Sequence, residues 1–168
     1  MASTRKAWAL VGSAAFLVLA PGIVAGLGPW WISSGWRAAQ SLGWPALSLG
    51  AVLIAAGVLV LLDCFLRFAL KGLGTPAPVF PTRHLVVTGL YRYVRNPMYV
   101  AVLAVILGQS LVLGNLRVLG YGALVALGFH LFVLAYEEPT LRKKYGEEYR
   151  AFCTNVPRWI PRLSPWRA

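Results

Sequence analysis

Four apolar stretches, about residues 7–27, 46–70, 98–113 and 116–136, dominate this chain, and the charged residues are crowded into the segments between and after them. Only 12% of the 168 residues are charged and 58% are apolar, with a mean hydropathy of +0.66. A soluble fold of this size has too little interior to hide that much apolar surface, so the excess faces lipid. A bilayer core needs roughly 20 helical residues, which the third stretch barely approaches. Only Gly114 and Asn115 separate it from the fourth, so the pair is expected to form a tight helical hairpin. The predicted architecture is an all-α integral membrane protein, a single membrane domain over 1–168. It has four transmembrane helices, a cytosolic loop and a C-terminal amphipathic helix.

Arg5 and Lys6 followed by an apolar run resemble a signal peptide, but the apolar character continues through Pro21 to Trp31, so a retained first span is expected. A net charge of +11 is the usual footprint of a nucleic-acid binder. Its placement points instead to topology. With both termini in the cytosol, only Arg37 and Arg117 of the 16 basic residues fall outside, as the positive-inside rule requires. Trp30, Trp31, Trp36 and Trp44 then mark the opposite interface. No nucleic-acid partner is expected. Cys64 and Cys153 lie far apart with no metal-ligand spacing, so neither a disulfide nor a metal site is predicted.

Two polar segments remain. Residues 72–97 are rich in Gly and Pro, which exclude a simple helix. Beyond Glu137, the residues Leu141, Tyr145, Tyr149 and Phe152 recur at helical spacing among basic residues, predicting an amphipathic helix on the membrane surface or capping the bundle. The prolines of VPRWIPRLSPW then forbid helix.

Five acidic residues can carry chemistry. Glu147 and Glu148 sit among lysines and arginines and are expected in solvated pairs. Asp63, inside the second span, has Arg67 one turn on; a structural ion pair is favoured over a relay. Glu137 and Glu138 end the fourth span, where two carboxylates oppose the helix dipole and are better tolerated beside a cationic or hydroxyl-rich ligand. His130 precedes Glu137 by seven residues and on an uninterrupted helix shares its face; it is a substrate-side candidate, against the plainer role of bonding a neighbouring helix.

The run LVVTGLYRYVRNPMY, a helical hairpin, EEPTLRKKYGEEYRAF and VPRWIP together resemble the isoprenylcysteine carboxyl methyltransferase and phospholipid methyltransferase superfamily. The resemblance covers 84–161, and the first two spans match only in being apolar. It implies a cofactor-binding part at about 83–161, with S-adenosylmethionine held by His84, Leu85, Val86, Tyr91, Asn96, Pro97, Met98 and Tyr99 from the loop and by Glu137 and Glu138. Arg95 is a further candidate by its charge, against the plainer role of a snorkelling arginine. The resemblance also implies methyl transfer to a lipid-like or membrane-soluble acceptor. Two positions depart from the pattern. Asn96 stands where the family usually has histidine and cannot titrate near neutrality. Val133 stands where prenylcysteine-directed members carry an arginine suited to a substrate carboxylate. The rival readings are an NADPH-dependent sterol-type reductase, and a small transporter or accessory membrane subunit using Asp63 and Arg67.

Overall fold

A computed structural model describes residues 19–67, 85 and 87–167. The described residues form helices and connecting turns with no strand among them. Helix α1 spans Leu19–Ile32, α2 Gly43–Arg67, α3 Pro97–Leu113, α4 Leu116–Phe132 and α5 Glu138–Asn155. A π-helical turn, Val133–Glu137, joins α4 to α5 without a break, giving 40 continuous residues. Among the described residues, α2 and this continuous helix are long and apolar enough to cross a membrane; α1 and α3 are shorter apolar helices. The spanning part of the long helix ends near Tyr136, because polar and charged residues follow. At 1.5 Å per residue, the 17 residues of α3 extend about 25 Å, short of a typical hydrocarbon core. Residues 7–18 of the expected first span lie outside the described residues.

The chain divides into two compact units. One, the bundle unit, holds Val18–Leu61 and Met98–His130; the other, the tail unit, holds Leu62–Pro97 and Leu131–Ala168 together with the first 17 residues.

In the bundle unit, glycine sets how closely α2 and α3 approach. A Cβ placed on Gly50 would lie 2.7 Å from the Gly108 carbonyl oxygen, and one on Gly108 would lie 2.6 Å from that of Gly50. One on Gly57 would lie 2.8 Å from the Ala101 carbonyl. Small residues at such a seam let backbones touch where lipid supplies no hydrophobic drive for helix association. Lipid-facing positions are the reverse: Val52, Leu59, Leu124 and Leu127 are all exposed.

α1 is held by a second device. Its π-helical turn, Ile23–Leu27, contains the carbonyls of Val24 and Ala25. The Tyr121 hydroxyl of α4 donates to Val24 O at 2.9 Å, and Gln109 Nε2 of α3 donates to Ala25 O at 2.6 Å. The predicted hairpin forms between α3 and α4. Gly114 takes φ +56°, the left-handed conformation that ends helices, and Asn115 Oδ1 accepts from Arg117 N and Val118 N as the next helix's cap.

The amphipathic reading of α5 needs two corrections. Gly146 (φ 52°, ψ −122°) interrupts the helix with backbone angles that only glycine adopts readily. The apolar stripe nevertheless survives the kink, because Tyr149, Phe152 and Val156 form a core onto which Leu85, Val87, Leu141, Tyr145 and Trp166 pack. That face is therefore buried inside the tail unit rather than turned to lipid.

Gly108→Leu should cost about 1–3 kcal/mol through forced separation of α2 and α3. Gly120→Ala should leave stability unchanged or slightly raised, since nothing lies within 4 Å of its Cβ direction. Melting temperatures in detergent distinguish the two, and equal melting temperatures would overturn the close-packed seam.

Candidate functional site

The tail unit is organised by three chain segments that are remote in sequence: residues 88–97, the first turn of α5, and the proline-rich stretch 156–167. A 3-10 turn, Gly89–Arg92, opens the first segment. Gly89 has φ +58°, and a side chain there would run into the Arg67 guanidinium, so glycine is required twice over. Arg67 Nε in turn donates to Asp63 Oδ2 at 2.7 Å. The expected i, i+4 ion pair is thus formed, and its guanidinium lies against the loop. Buried Tyr91 hydrogen-bonds Cys64 near the end of α2.

The proline-rich tail is extended and stapled to this segment by its backbone. Arg95 N donates to Pro157 O, Arg162 N to Tyr93 O and Trp166 N to Arg92 O, all at 2.9–3.0 Å. Arg92 Nε donates back to Trp166 O at 2.6 Å, and buried Asn96 donates its side-chain amide to Arg158 O at 3.2 Å. Asn96 thus does the work of a staple, for which no titratable group is needed. Ring packing of Trp166 on Phe152 closes the far end.

Glu138 lies where the three segments meet. Its side chain is 7% exposed and accepts a bidentate fork from Arg158, Nε at 2.7 Å and Nη2 at 3.1 Å. Arg95 Nη1 approaches the same carboxylate at 3.1 Å and also donates to Cys153 Sγ at 2.8 Å. Burial pushes the Glu138 carboxyl up. The Arg158 hydrogen bonds and the positive charges of Arg95, Arg158 and Arg142 outweigh that, holding it below the ordinary carboxylate value. Burial likewise pushes the Tyr149 phenol up, keeping it neutral.

The structure thus brings together Tyr91, Arg95, Asn96, Pro97, Glu137 and Glu138 in the tail unit, with Leu85 packed on its core. Glu137 is half-buried beside Glu138. Met98, Tyr99 and His130 belong to the bundle unit, where Tyr99 stacks on Phe129 at 4.5 Å. His84 and Val86 lie outside the described residues. The shared face expected of His130 and Glu137 requires an unbroken α-helix, and the π turn Val133–Glu137 removes that basis. Val133, at the position where the resemblance places an arginine in prenylcysteine-directed members, is 1% exposed. Arg158 was not singled out as a site residue by sequence reasoning, although it lies within the VPRWIP motif that carries part of the resemblance.

Two buried polar atoms of this unit, Arg95 Nε and Thr88 Oγ1, have no hydrogen-bond partner among the described residues. Two guanidiniums, from Arg95 and Arg158, share the Glu138 carboxylate. These features fit a ligand that carries a carboxylate and hydroxyls, such as S-adenosylmethionine. Among the described residues no cluster of His, Cys, Asp or Glu is suited to a metal.

An all-helical membrane protein whose polar face gathers a buried glutamate, two arginines and a proline-rich strap defines the class. Residues 45–148 match the phospholipid methyltransferase family, and the chain belongs to it. It is similar to the protein-S-isoprenylcysteine O-methyltransferase of Schizosaccharomyces pombe, 37% identical over 79 residues, which cover 46% of this chain and 34% of that protein. It is also 39% identical over 64 residues to an uncharacterized protein of Haemophilus influenzae, covering 38% of this chain and 100% of that one. The chain thus matches about a third of the length of the fission yeast relative. No solved structure matches. The family match begins at Pro45, so the second span belongs to it too, beyond the likeness in apolar character alone that the sequence offers.

Because the folded state holds Glu138 ionised below its ordinary pKa of 4.5, its contribution is complete above that value and is lost as pH falls through the folded-state pKa. Wild-type melting temperature should therefore drop on acidification below about pH 4.5. Glu138→Gln should melt lower at neutral pH, by about 3 kcal/mol of lost stability, and lose much of that acid dependence. An unchanged acid limb in the variant would remove Glu138 from this role.

Proposed function

We propose that this chain is an S-adenosylmethionine-dependent integral membrane methyltransferase that modifies a lipid-like or membrane-soluble acceptor at the cytosolic face. The observation that carries the reading is the buried Arg95–Glu138–Arg158 cluster with its unpartnered Arg95 Nε, within a chain of the phospholipid methyltransferase family. When bound, the donor supplies an electrophilic methyl group on a sulfonium.

The paired glutamates divide the work. Glu138 is committed to two arginines and fixes the positions of the loop, α5 and the tail. Glu137 is the carboxylate that meets the donor's ribose hydroxyls or ammonium. Arg95 directs its remaining Nε–H to the donor carboxylate, while Nη1 stays with Glu138. Tyr91 and Asn96 shape the site from behind, through Cys64 and the Arg158 carbonyl. His84, Val86, Pro97, Met98 and Tyr99 are assigned to the donor by resemblance. Leu85 turns its side chain into the core and contributes backbone.

Methyl transfer of this kind depends on alignment and exclusion of water more than on proton transfer, which suits a site with asparagine at position 96. A carboxylate acceptor needs no base, whereas an amine must first be neutral. An arginine at position 133 would have to be buried at high cost. Recognition of a prenylcysteine carboxylate from that position is accordingly disfavoured, and another lipid-soluble acceptor is favoured. The acceptor enters laterally from the bilayer, the donor from water.

Calorimetric titration of the detergent-purified protein with S-adenosylhomocysteine tests this. Saturable binding is expected, weakened at least about tenfold in folded Glu137→Gln, or roughly 1.4 kcal/mol. No binding to the folded wild type, with NADPH binding in its place, would overturn the reading in favour of a reductase.

A further inference from the structure

The apolar stripe of α5 is consumed by the core of the tail unit, yet two large apolar side chains of the strap are left outside it. Ile160 is 79% exposed and Leu163 fully exposed. They lie within seven residues of Arg158, Arg162 and Arg167, in a stretch with no acidic residue. A lone exposed leucine is unremarkable, but two on a rigid strap flanked by arginines form an amphipathic anchor.

The strap is also held in place by its backbone: the N–H groups of Arg162 and Trp166 donate to Tyr93 O and Arg92 O. Arg162 Nη1 donates to Asn155 O at 2.7 Å, which ties the strap to the end of α5. The exposed Glu147 of α5 is already paired with Arg150 at 2.6 Å.

We propose that the strap, residues 158–167, docks onto an anionic lipid surface, with Ile160 and Leu163 inserted at the acyl boundary and Arg162 and Arg167 on lipid phosphates. Positive charge selects this occupant over a second copy of the chain, which would bring the same basic stretch against itself. Each basic side chain held at an anionic surface is worth roughly a fivefold shift in binding, so docking depends on lipid charge. The anchoring holds the strap, and through Asn96 and Glu138 the loop, at the depth of the interface. It does not depend on which reaction the protein performs.

The test uses the full chain as Leu163→Cys carrying an environment-sensitive fluorophore, with identically treated wild type correcting for labelling of Cys64 and Cys153. Lys143→Cys on α5 serves as the solvent-facing control. One copy per nanodisc is measured, in phosphatidylcholine alone or with about a quarter phosphatidylglycerol, each containing lipids spin-labelled near the headgroup. At position 163, quenching should be at least about twofold stronger with phosphatidylglycerol, and should fall back in Arg162→Gln/Arg167→Gln with melting temperature retained. Quenching at 163 equal to that at 143, or indifferent to phosphatidylglycerol, overturns the proposal. So does burial of the fluorophore that appears only in concentrated detergent solution, which would assign the patch to a second copy.

Discussion

The tail unit depends on one carboxylate. Glu138 stands at the first turn of α5, buried, and meets a guanidinium from the loop before α3 and another from the strap that ends the chain. A buried carboxylate is stable only when paired and hydrogen-bonded, and neither arginine is near it in sequence. The three segments must therefore arrive together. The strap's backbone bonds to residues 92–95 and the Tyr149–Phe152–Val156 core then have a fixed frame to act on.

The bundle unit relies on a different economy of space. Its helices are apolar on every side, so sequence pattern gives no direction for packing, and lipid competes equally for every leucine. What chooses the contacts is shape: glycines opposite carbonyls at Gly50, Gly57 and Gly108, and side-chain hydrogen bonds to the π turn of α1. The two π turns have unlike neighbours. The one in α1 has carbonyls that take side-chain donors, whereas the one in Val133–Glu137 falls just before the paired glutamates. An extra residue in a turn changes which side of a helix every later residue occupies. For that reason spacing alone could not relate His130 to Glu137.

Legibility in the sequence followed the range of the interaction. The hairpin at Gly114–Asn115, the i, i+4 pair of Asp63 and Arg67, the non-helical strap and the apolar stripe of α5 all rest on contacts within a few residues, where spacing and residue type suffice. The family was legible from motif order for the same reason. The kink at Gly146 was not, since a glycine within a periodic pattern reads as tolerated until its dihedrals are seen. Nor was the fate of the α5 stripe: periodicity gives an apolar face without saying what covers it.

The sequence by itself determined the solvent, the membrane-facing composition, the positions of the turns and the glutamates on which the site is built. Those follow from transfer free energy and local sterics, which every residue carries with it. Only the tertiary structure decided that Glu138 is a clamp, that Asn96 is a staple, that Arg158 belongs to the site and that Ile160 and Leu163 remain uncovered. Each of these depends on a partner 20 or more residues away or on the failure of any partner to arrive. A residue's chemistry fixes what it can bond, and only the fold supplies the bond.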